Sequence, residues 1–357
     1  MNRIIIGMSG GVDSAVAASI LIEEGYEVEG LFMKNWEEES EYCSAEKDYK
    51  DALQVCEVLG IPINSVNFAK EYWDRVFKHF LEEYSRGRTP NPDILCNTEI
   101  KFKEFLNYAL ELGADKIATG HYARSHDKNG EVFLQKGSDL EKDQSYFLYG
   151  LNQSQISNAI FPIGDFEKSF IRTKAEKLGF YNHNKKDSVG ICFIGERNIK
   201  EFLKTYIPSN PGDIVNVNGE KIGKHDGIMY YTIGQRKGLG IGGRTKNDTG
   251  AWYVLNKDTI NNELIVGQGH DHSALYHKRL KASNPHWVSE KAPEKDNLHA
   301  KIRYRAKDTL CKIIDLNPHN LEVEFEQPCF AIAPGQSIVF YDKDICLGGA
   351  IIESYSN

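Results

Sequence analysis

Short apolar runs alternate with amphipathic stretches over roughly the first 125 residues of the chain. An apolar run of strand length, followed by apolar positions at helical spacing, predicts a βα unit. We predict strands at Arg3–Met8, Glu27–Met33, Ile63–Asn67 and Lys116–Thr119, with helices at about 13–24, 46–59, 71–86 and 98–112. Repeated βα units favour a parallel sheet with right-handed crossovers and helices on both faces.

The pattern changes further along the chain. A hairpin around 127–130 and helices at about 153–159 and 168–178 complete the first region, and glycine-dense β-type runs replace helices from Pro208 onwards. Strands separated by Pro, Gly, Asn and Asp turns are typical of a small barrel. Those predicted near the C-terminus are Ala300–Arg305, Leu321–Phe325, Ser337–Tyr341 and Gly348–Ile352. We therefore predict an α/β domain at 1–204, a central β-rich domain at 205–272 and a C-terminal β-barrel at 273–357.

The composition narrows the class of protein. With 357 residues, the chain is long enough for two or three domains with ample cores. The net charge of −8 argues against a surface that coats nucleic acid throughout, but it leaves room for a local basic surface. No apolar run approaches the length of a membrane helix, and the chain enters a strand at once, unlike a signal peptide. We expect a cytoplasmic protein without membrane association.

The turn between the first strand and the first helix is the strongest candidate for chemistry. Its residues are Gly7, Met8, Ser9, Gly10, Gly11, Val12, Asp13 and Ser14. Glycines let the backbone approach a bound group, and the unpaired N–H groups of the next helix attract anions. The spacing fits neither a Walker loop nor a dinucleotide fingerprint, and it resembles the PP-loop of enzymes that cleave ATP to AMP and pyrophosphate. Since Asp13 would repel phosphate, it either caps the helix or holds a Mg²⁺ that bridges to the phosphates.

Two other strand ends belong to the same edge of the predicted sheet. Ligands of parallel sheets bind at the carboxyl ends of the strands, where the sequence places Met33 and Thr119-Gly120-His121. A lone histidine is usually structural, so His121 becomes a candidate only because of its place beside the nucleotide loop.

The cysteines point to single-thiol chemistry. The seven include no Cys-x-x-Cys pair, so we expect neither a structural zinc site nor an iron–sulfur cluster. Cys96 follows Asn91-Pro92-Asp93, and we predict that it directly precedes a helix capped by Asn97 or Thr98. The helix dipole would then favour the thiolate, with Asp93 as a proton acceptor; the alternative is a buried structural cysteine. For Cys192, the local pattern leaves a reactive and a structural role equally open. We predict structural roles for Cys43, Cys56, Cys311, Cys329 and Cys346.

Two basic segments are candidates for RNA contact. Lys301, Arg303, Arg305 and Lys307 alternate along the chain and would share one strand face. Residues 220–246 contain six basic and two acidic residues, which gives them a net charge of +4. Either segment alone is as well explained by a solvated surface. Two such segments on an acidic protein, with Tyr304 nearby, favour RNA modestly.

Taken together, these motifs resemble one family, the bacterial and organellar tRNA-specific 2-thiouridylases of the PP-loop superfamily. The resemblance runs almost from end to end. It is carried by Gly7–Ser14, Asn91-Pro92-Asp93 with Cys96, Thr119–Tyr122, Lys142–Leu148, Gly190–Gly195, Tyr231–Arg236 and Ile302–Arg305. Many PP-loop enzymes share the first motif, whereas the two cysteine motifs together are far more specific.

The resemblance implies ATP-dependent 2-thiolation of the wobble uridine in the tRNAs for Lys, Glu and Gln. ATP, with Mg²⁺, would adenylate the uracil 2-oxygen and release pyrophosphate. Cys192 would carry sulfur as a persulfide, received from a relay protein or a cysteine desulfurase. Cys96 would either release hydrosulfide from that persulfide or form a transient disulfide with Cys192. Asp93 would act as general acid and base.

The resemblance also implies the binding residues. ATP would contact Gly7–Ser14, Met33 and Gly120, and Asn91, Pro92 and Asp93 would hold the target base. The implied tRNA contacts are His121, Lys142, Asp143, Gln144, Arg303, Tyr304 and Gln336. One rival is an ATP-dependent ligase of the same superfamily that acts on a metabolite and needs neither thiol. Another is a nucleotide-binding regulatory or electron-transfer protein without turnover.

Overall fold

The structure, a computed structural model, describes residues 2–37, 45–187, 198–241, 250–295 and 297–357. Cys43, and Cys192 with its motif Gly190–Gly195, lie outside these ranges. Within them, no helix is both long and apolar enough to cross a membrane.

Strands and helices alternate through the N-terminal region. Its strands are β1 (Arg3–Gly7), β2 (Glu27–Lys34), β3 (Ile63–Asn67), β4 (Lys116–Ala118), β5 (Ala123–Lys128), β6 (Glu131–Lys136) and β7 (Ala159–Ile160). Its helices are α1 (Val12–Glu23), α2 (Ala45–Leu59), α3 (Ala69–Tyr72), α4 (Lys78–Ser85), α5 (Pro92–Leu95), α6 (Phe105–Glu111), α7 (Gln153–Ser157) and α8 (Lys168–Lys177). Two π-helical segments, Trp73–Phe77 and Cys96–Glu104, join α3 to α4 and α5 to α6. Five strands form a parallel sheet in the order β3-β2-β1-β4-β7, which confirms the predicted fold class.

The central strand β1 explains the run of three isoleucines near the N-terminus. Ile5 packs into one hydrophobic cluster, whereas Ile4 and Ile6 pack into another. All three are fully buried, because successive strand residues point to opposite faces of the sheet and both faces are covered. The turn that follows β1 is therefore anchored from both sides.

The helix that carries Cys96 starts earlier than the sequence analysis places it. Asn91 is its N-cap and accepts a hydrogen bond from the N–H of Asp93 at 3.2 Å, and a proline takes the first helical position. Both residue types are favoured at these positions. The prediction that Cys96 precedes a helix capped by Asn97 or Thr98 is therefore wrong, because the Asn-Pro pair is the true start.

The remaining two regions are built mainly from strands. The central region contains α9 (Ile199–Lys204) and the strands β8 (Gly212–Asn216), β9 (Lys221–His225), β10 (Trp252–Asp258) and β11 (Glu263–Gln268), which form a sheet in the order β10-β11-β8-β9. The last region contains β12 (Tyr276–Trp287), β13 (Leu298–Lys301), β14 (Thr309–Leu316), β15 (Asn320–Phe330), β16 (Ser337–Asp342) and β17 (Ile345–Ser356). Pairing of β12 with both β15 and β17 closes these six strands into the predicted barrel.

A hairpin from the first region extends the sheet of the barrel. Strands β5 and β6 form the predicted hairpin around Asn129 and Gly130, both with positive φ. Strand β6 then pairs with β17 of the barrel, with Leu134 opposite Cys346. One hydrophobic cluster also runs through residues of all three regions. The N-terminal region and the barrel therefore share backbone hydrogen bonds as well as a core.

Candidate active site

The loop after β1 has the geometry of an anion site. It leads into α1 with Gly11 as the N-cap residue. Gly10 has φ +71°, and a Cβ there would overlap the backbone oxygen of Asp48, so only glycine fits. The Ser14 hydroxyl accepts from the Ser9 N–H and donates to the Gly11 carbonyl, both at 3.2 Å. The Ser14 hydroxyl is therefore engaged in holding the loop.

The other predicted nucleotide contacts lie against this loop. A Cβ on Gly120 would lie 2.8 Å from the backbone nitrogen of Ser14, so β4 ends directly on the first turn of α1. Met33 lies at the end of β2, and its Cε would be 3.3 Å from a Cβ on Gly7. The carboxyl ends of β1, β2 and β4 thus meet at one edge, as expected for a parallel sheet.

Asp13 does not cap the helix. The N-cap residue of α1 is Gly11, and α1 has no side-chain capping hydrogen bond. Instead, both carboxylate oxygens of Asp13 accept hydrogen bonds from Lys168 Nζ at 2.8 Å, and Oδ1 also accepts one from the Tyr122 hydroxyl at 2.8 Å. Lys168 was not a candidate in the sequence, because it lies 155 positions from Asp13 and no local pattern marks it.

A second carboxylate extends this ion-pair network. Asp187 lies 2.7 Å from Lys168 Nζ, 2.7 Å from Lys142 Nζ and 3.0 Å from an Arg172 nitrogen. Burial alone would raise the pKa of Asp187, but the hydrogen bonds from Lys142 and Lys168 outweigh it and lower the pKa to about 2. The network joins the predicted RNA contact Lys142 to the nucleotide loop.

The side of the loop facing α2 is fixed by another lysine. Lys185 Nζ donates to the Gly10 carbonyl at 3.1 Å and pairs with Asp48 and Asp51 at 2.9 and 2.6 Å. The Asn182 amide donates to the same carbonyl at 3.1 Å. The sequence analysis missed both residues for the same reason as Lys168, since they approach the loop through tertiary packing.

Cys96 is buried in the helix that packs on this edge. Its side chain is 0% exposed, and the switch to π-helical hydrogen bonding begins at Cys96. Such segments are rare in proteins and are frequent at functional sites. Further along the same helix, Phe105 lies 3.4 Å from where a Cβ of Gly7 would be, and Phe102 packs 5.8 Å from the ring of His121. One helix therefore connects Cys96 to the nucleotide loop.

The predicted target-base residues, Asn91, Pro92 and Asp93, follow a segment that is hydrogen-bonded to the central region and to the barrel. The Thr89 N–H donates to the Pro334 carbonyl at 2.9 Å, and the Thr89 hydroxyl lies 3.1 Å from that of Thr232. Gln336 Nε2 donates to the Thr89 carbonyl at 2.8 Å. We call the residues 88–92, 231–235, 303 and 331–336, which meet here, the junction. It places Asn91 where all three regions converge.

The predicted basic strand face does not form. Strand β13 ends at Lys301, after which the chain turns. Arg303 is partly buried and donates to the carbonyls of Ile233 and Ala331 at 2.8 and 2.6 Å, while Arg305 and Lys307 are exposed. Alternation places residues on one face only while a strand continues, so this prediction of a shared face for Lys301, Arg303, Arg305 and Lys307 is wrong.

The Lys142–Gln144 segment is largely committed to protein contacts. Asp143 is buried and accepts hydrogen bonds from the N–H groups of Gly137 and Ser145, with Lys301 at 3.4 Å. The Gln144 backbone and side chain bond to Tyr122. The Lys142 side chain is partly exposed and pairs with Asp187.

His121 and Tyr304 are aromatic groups beside this segment. His121 is buried, and its Nδ1 lies 2.8 Å from the Thr119 hydroxyl. Burial, with the nearby charge of Lys101, holds its pKa well below the usual range, so the ring is neutral at physiological pH. The Tyr304 ring packs 4.4 Å from that of Phe147. Both rings are positioned by packing rather than by charge.

Four other described cysteines are poor nucleophiles. Burial raises the pKa of Cys56 and of Cys311 to about 12 and that of Cys329 to about 11, and it raises the pKa of Cys346 further. Thiols with such values stay protonated at neutral pH, in keeping with structural roles.

The site is a glycine loop at the carboxyl edge of a parallel sheet. Gly120 packs against the first turn of the helix after the loop, and Lys168 and Lys185 bond to loop residues. These features define a nucleotide-binding α/β protein with a PP-loop. Three family models match in succession, described as a tRNA methyl transferase HUP domain at 2–196, a tRNA methyl transferase PRC-barrel domain at 200–268 and an aminomethyltransferase beta-barrel domain at 277–352. The tRNA-specific 2-thiouridylase MnmA of Histophilus somni (strain 2336) is 55% identical, over 99% of this chain and 93% of that protein. The protein of the same name from Pseudomonas aeruginosa (strain LESB58) is 54% identical, over 99% of this chain and 95% of that protein. The chain belongs to the family of tRNA-specific 2-thiouridylases.

Among solved structures, the U34-tRNA thiolase NcsA from Methanococcus maripaludis is 19% identical, covers 57% of this chain and 64% of its own, and has a TM-score of 0.36. A score this low supports no further conclusion.

Proposed function

We propose that the protein replaces the 2-oxygen of the wobble uridine in tRNA with sulfur, using ATP and giving 2-thiouridine, AMP and pyrophosphate. The observation that carries the proposal is the helix that begins at Asn91, holds Cys96 and packs through Phe105 on the PP-loop. A thiol and a nucleotide loop on one rigid element suit a reaction that needs both. The names of the close relatives agree with this activity.

Two steps account for the groups present. A carbonyl oxygen is a poor leaving group, so the uracil 2-oxygen first attacks the α-phosphorus of ATP, and the bond to pyrophosphate breaks. The N3 proton goes to Asp93, the proposed general acid and base. Sulfur then bonds to C2, and AMP leaves with the oxygen. This order explains why an ATP loop serves a sulfur transfer.

Sulfur arrives on Cys192 as a persulfide. Cys96 attacks the Cys192 sulfur, the persulfide S–S bond breaks, and a Cys96–Cys192 disulfide forms. In one route Cys96 attacks first, and the hydrosulfide that is released then attacks C2. In the other route the terminal sulfur of the persulfide attacks C2 and AMP leaves, and Cys96 then attacks the Cys192 sulfur, which breaks the S–S bond and leaves the sulfur on C2. Both routes end in the same disulfide, so a thiol reductant must reset the enzyme. The donor that loads Cys192 is a relay protein or a cysteine desulfurase.

Magnesium fits the site only in part. When bound, it would neutralise phosphate charge, as in other sites where Mg²⁺ is held by one or two carboxylates and the substrate phosphates. Asp13 is the carboxylate of the loop, but Lys168 already bonds to both of its oxygens. No group of three or more His, Cys, Asp or Glu residues among the described residues could hold a metal. A Mg²⁺ bound at Asp13 would therefore either share these oxygens with Lys168 or replace its hydrogen bonds.

The tRNAs for Lys, Glu and Gln bind across the junction through their anticodon stem-loops. Lys142 and Tyr304 offer a charge and an aromatic face, and His121 offers a neutral ring. Arg303 and Gln336 support tRNA binding indirectly, because their side chains donate hydrogen bonds to backbone carbonyls and so stabilise the junction. We place the reaction in the cytoplasm, where buried thiols such as Cys56 stay reduced.

The test is to incubate the protein with ATP, a persulfide donor and unmodified tRNA, and to measure 2-thiouridine by mass spectrometry of the nucleosides. We expect 2-thiouridine and AMP in equal amounts. AMP formed with a small acceptor but without 2-thiouridine would refute the proposal. So would methylated nucleoside in a parallel reaction with a methyl donor, since the family models carry methyltransferase descriptions.

Cysteine variants sharpen the test. We expect Cys96→Ser and Cys192→Ser each to abolish thiolation while ATP binding is retained. Cys56→Ser is the matched control, because Cys56 is buried in the same region with a pKa raised to about 12, and its thiolation should be unchanged. Thiolation that persists in either of the first two variants would remove that cysteine from the mechanism.

A further inference from the structure

One ammonium group links the PP-loop to the ion-pair network. Lys168, the first residue of α8, lies 2.8 Å from both oxygens of Asp13 and 2.7 Å from Asp187. Its side chain is only 10% exposed, whereas those of Asp13 and Asp187 are about one-third exposed. Lys168 therefore lies between two carboxylates, next to the N-terminus of α1, where phosphates would bind.

The charges explain why a lysine is needed there. Asp13 places a negative charge in the first turn of α1, where phosphate would otherwise be attracted by the helix N-terminus. Together, Asp13 and Asp187 carry two negative charges, and Lys142, Lys168 and Arg172 carry three positive ones. Without Lys168 that surplus disappears, and the acid in the loop would face the phosphates uncompensated.

We propose that Lys168 contacts the β- and γ-phosphates of ATP and stabilises the departing pyrophosphate, an inference that rests on the proposed function. A lysine is a compact cation on a flexible stem, so the ammonium can turn from Asp13 to a phosphate oxygen without movement of α8. When the uracil oxygen bonds to the α-phosphorus, the electron pair of the breaking P–O bond goes to pyrophosphate. Lys168 keeps its protons and balances the charge that develops there.

The chain offers a matched control on the same helix. Lys174 pairs with Glu23 at 2.6 Å and does not take part in the contacts of Asp13 described above. We would compare Lys168→Met, Lys168→Arg and Lys174→Met in the full-length protein. The measurements are the tRNA-dependent exchange of labelled pyrophosphate into ATP, and the binding of ATP, AMP and inorganic pyrophosphate.

A phosphate-contacting lysine predicts a specific pattern. Exchange in Lys168→Met should fall by about 100-fold, with weaker binding of ATP and pyrophosphate and unchanged binding of AMP. Lys168→Arg should recover part of the loss, because it keeps the charge, and Lys174→Met should resemble the wild type. Equal losses for AMP and ATP would show that Lys168 only supports the loop, and unchanged pyrophosphate binding would show that it makes no contact; either result overturns the proposal.

Two features keep the test decisive. If Lys168→Met does not fold, the double variant Asp13→Asn/Lys168→Met removes both charges of the ion pair together. That double variant is then compared with Asp13→Asn alone. The nucleotide and pyrophosphate titrations need neither tRNA nor sulfur. A wild-type protein that makes no 2-thiouridine would therefore refute the proposed function without deciding the role of Lys168.

Discussion

The PP-loop and the junction are built in opposite ways. In the loop, the turn itself is set by bonds between Ser9, Gly11 and Ser14, which are neighbours in the sequence, and the distant Asn182 and Lys185 add bonds to the Gly10 carbonyl. At the junction, Thr89 meets Thr232, 143 positions away, and Gln336, 247 positions away. A locally built site is visible in the sequence, whereas a site built by distant segments depends on how three regions pack.

The same contrast decides what a charged residue does. Lys168 pairs with two carboxylates beside the predicted phosphate site, where we propose that it contacts ATP. Arg303 donates to two backbone carbonyls, so its charge stabilises contacts between segments of the protein. Equal formal charges therefore have different partners in the two regions.

The largest expected effect tests the loop. Gly120→Ala should reduce AMP formation by at least about 100-fold, because its Cβ would lie 2.8 Å from the Ser14 nitrogen and displace the donors that bind phosphate. The control is Gly25→Ala, where φ is +85° and no atom lies within 4 Å; it should cost about 1 kcal/mol of stability and leave activity unchanged. If Gly120→Ala keeps its activity, the loop is not rigidly built.

The next effect tests the junction. Arg303→Met removes two charge-assisted hydrogen bonds of a partly buried guanidinium and should lower the free energy of unfolding by about 3 kcal/mol. Affinity for tRNA should fall while affinity for ATP is unchanged. Denaturant unfolding measures the stability, and titration measures the two affinities. The control is Arg305→Met, since Arg305 is exposed. Unchanged stability with a weaker salt dependence of RNA binding would instead make Arg303 an RNA contact.

The smallest effect is a pH dependence at the edge of the junction. Lys257 is partly buried and lines a cavity of about 160 Å³ together with Arg86 and Arg88, and it donates to the Gly87 carbonyl at 2.7 Å. Burial lowers the pKa of Lys257 to about 7. Above that pH, Lys257 loses its proton in the native protein. In the unfolded chain, the same lysine keeps its proton up to about pH 10. The unfolded state then binds more protons, so stability rises with pH from about 7 upwards.

The measurement is the difference in unfolding free energy between wild type and Lys257→Met at two pH values. Between pH 7 and pH 9 the difference should move in favour of the wild type by roughly 2 kcal/mol. Lys237→Met, at an exposed lysine, should show no such trend. A flat difference for Lys257→Met would mean that water reaches this lysine and that the junction is more open than the structure indicates.

The parts that the sequence predicts well share a local origin. The apolar run of β1, the glycines after it and the start of α1 adjoin one another, and the alternation of strands and helices was enough for the α/β fold. The start of the Cys96 helix could also have been found, since Asn91 followed by proline is a strong start signal. Asn97 and Thr98, which are also favourable cap residues, lie inside the helix that this pair begins.

The parts that the sequence misses need tertiary structure. Nothing near Lys168 indicates a partner 155 positions away, and the alternation around Arg303 suggests a strand that ends at Lys301 instead. The resemblance to the family supplied Gln336 as an RNA contact, but only the structure shows its bond to Thr89. Proximity, burial and the end of a strand are set by packing, which periodicity does not record.

The pairing of β6 with β17 has a mechanical consequence. Because this edge is shared, cutting the chain before the barrel would leave β6 with an unpaired edge, and such edges promote aggregation. The barrel also cannot tilt without pulling on the hairpin. The segment that follows the hairpin includes Lys142, which bonds to Asp187 beside the PP-loop. The β6–β17 pairing and the Lys142–Asp187 ion pair therefore give a continuous path of contacts from the barrel to the PP-loop.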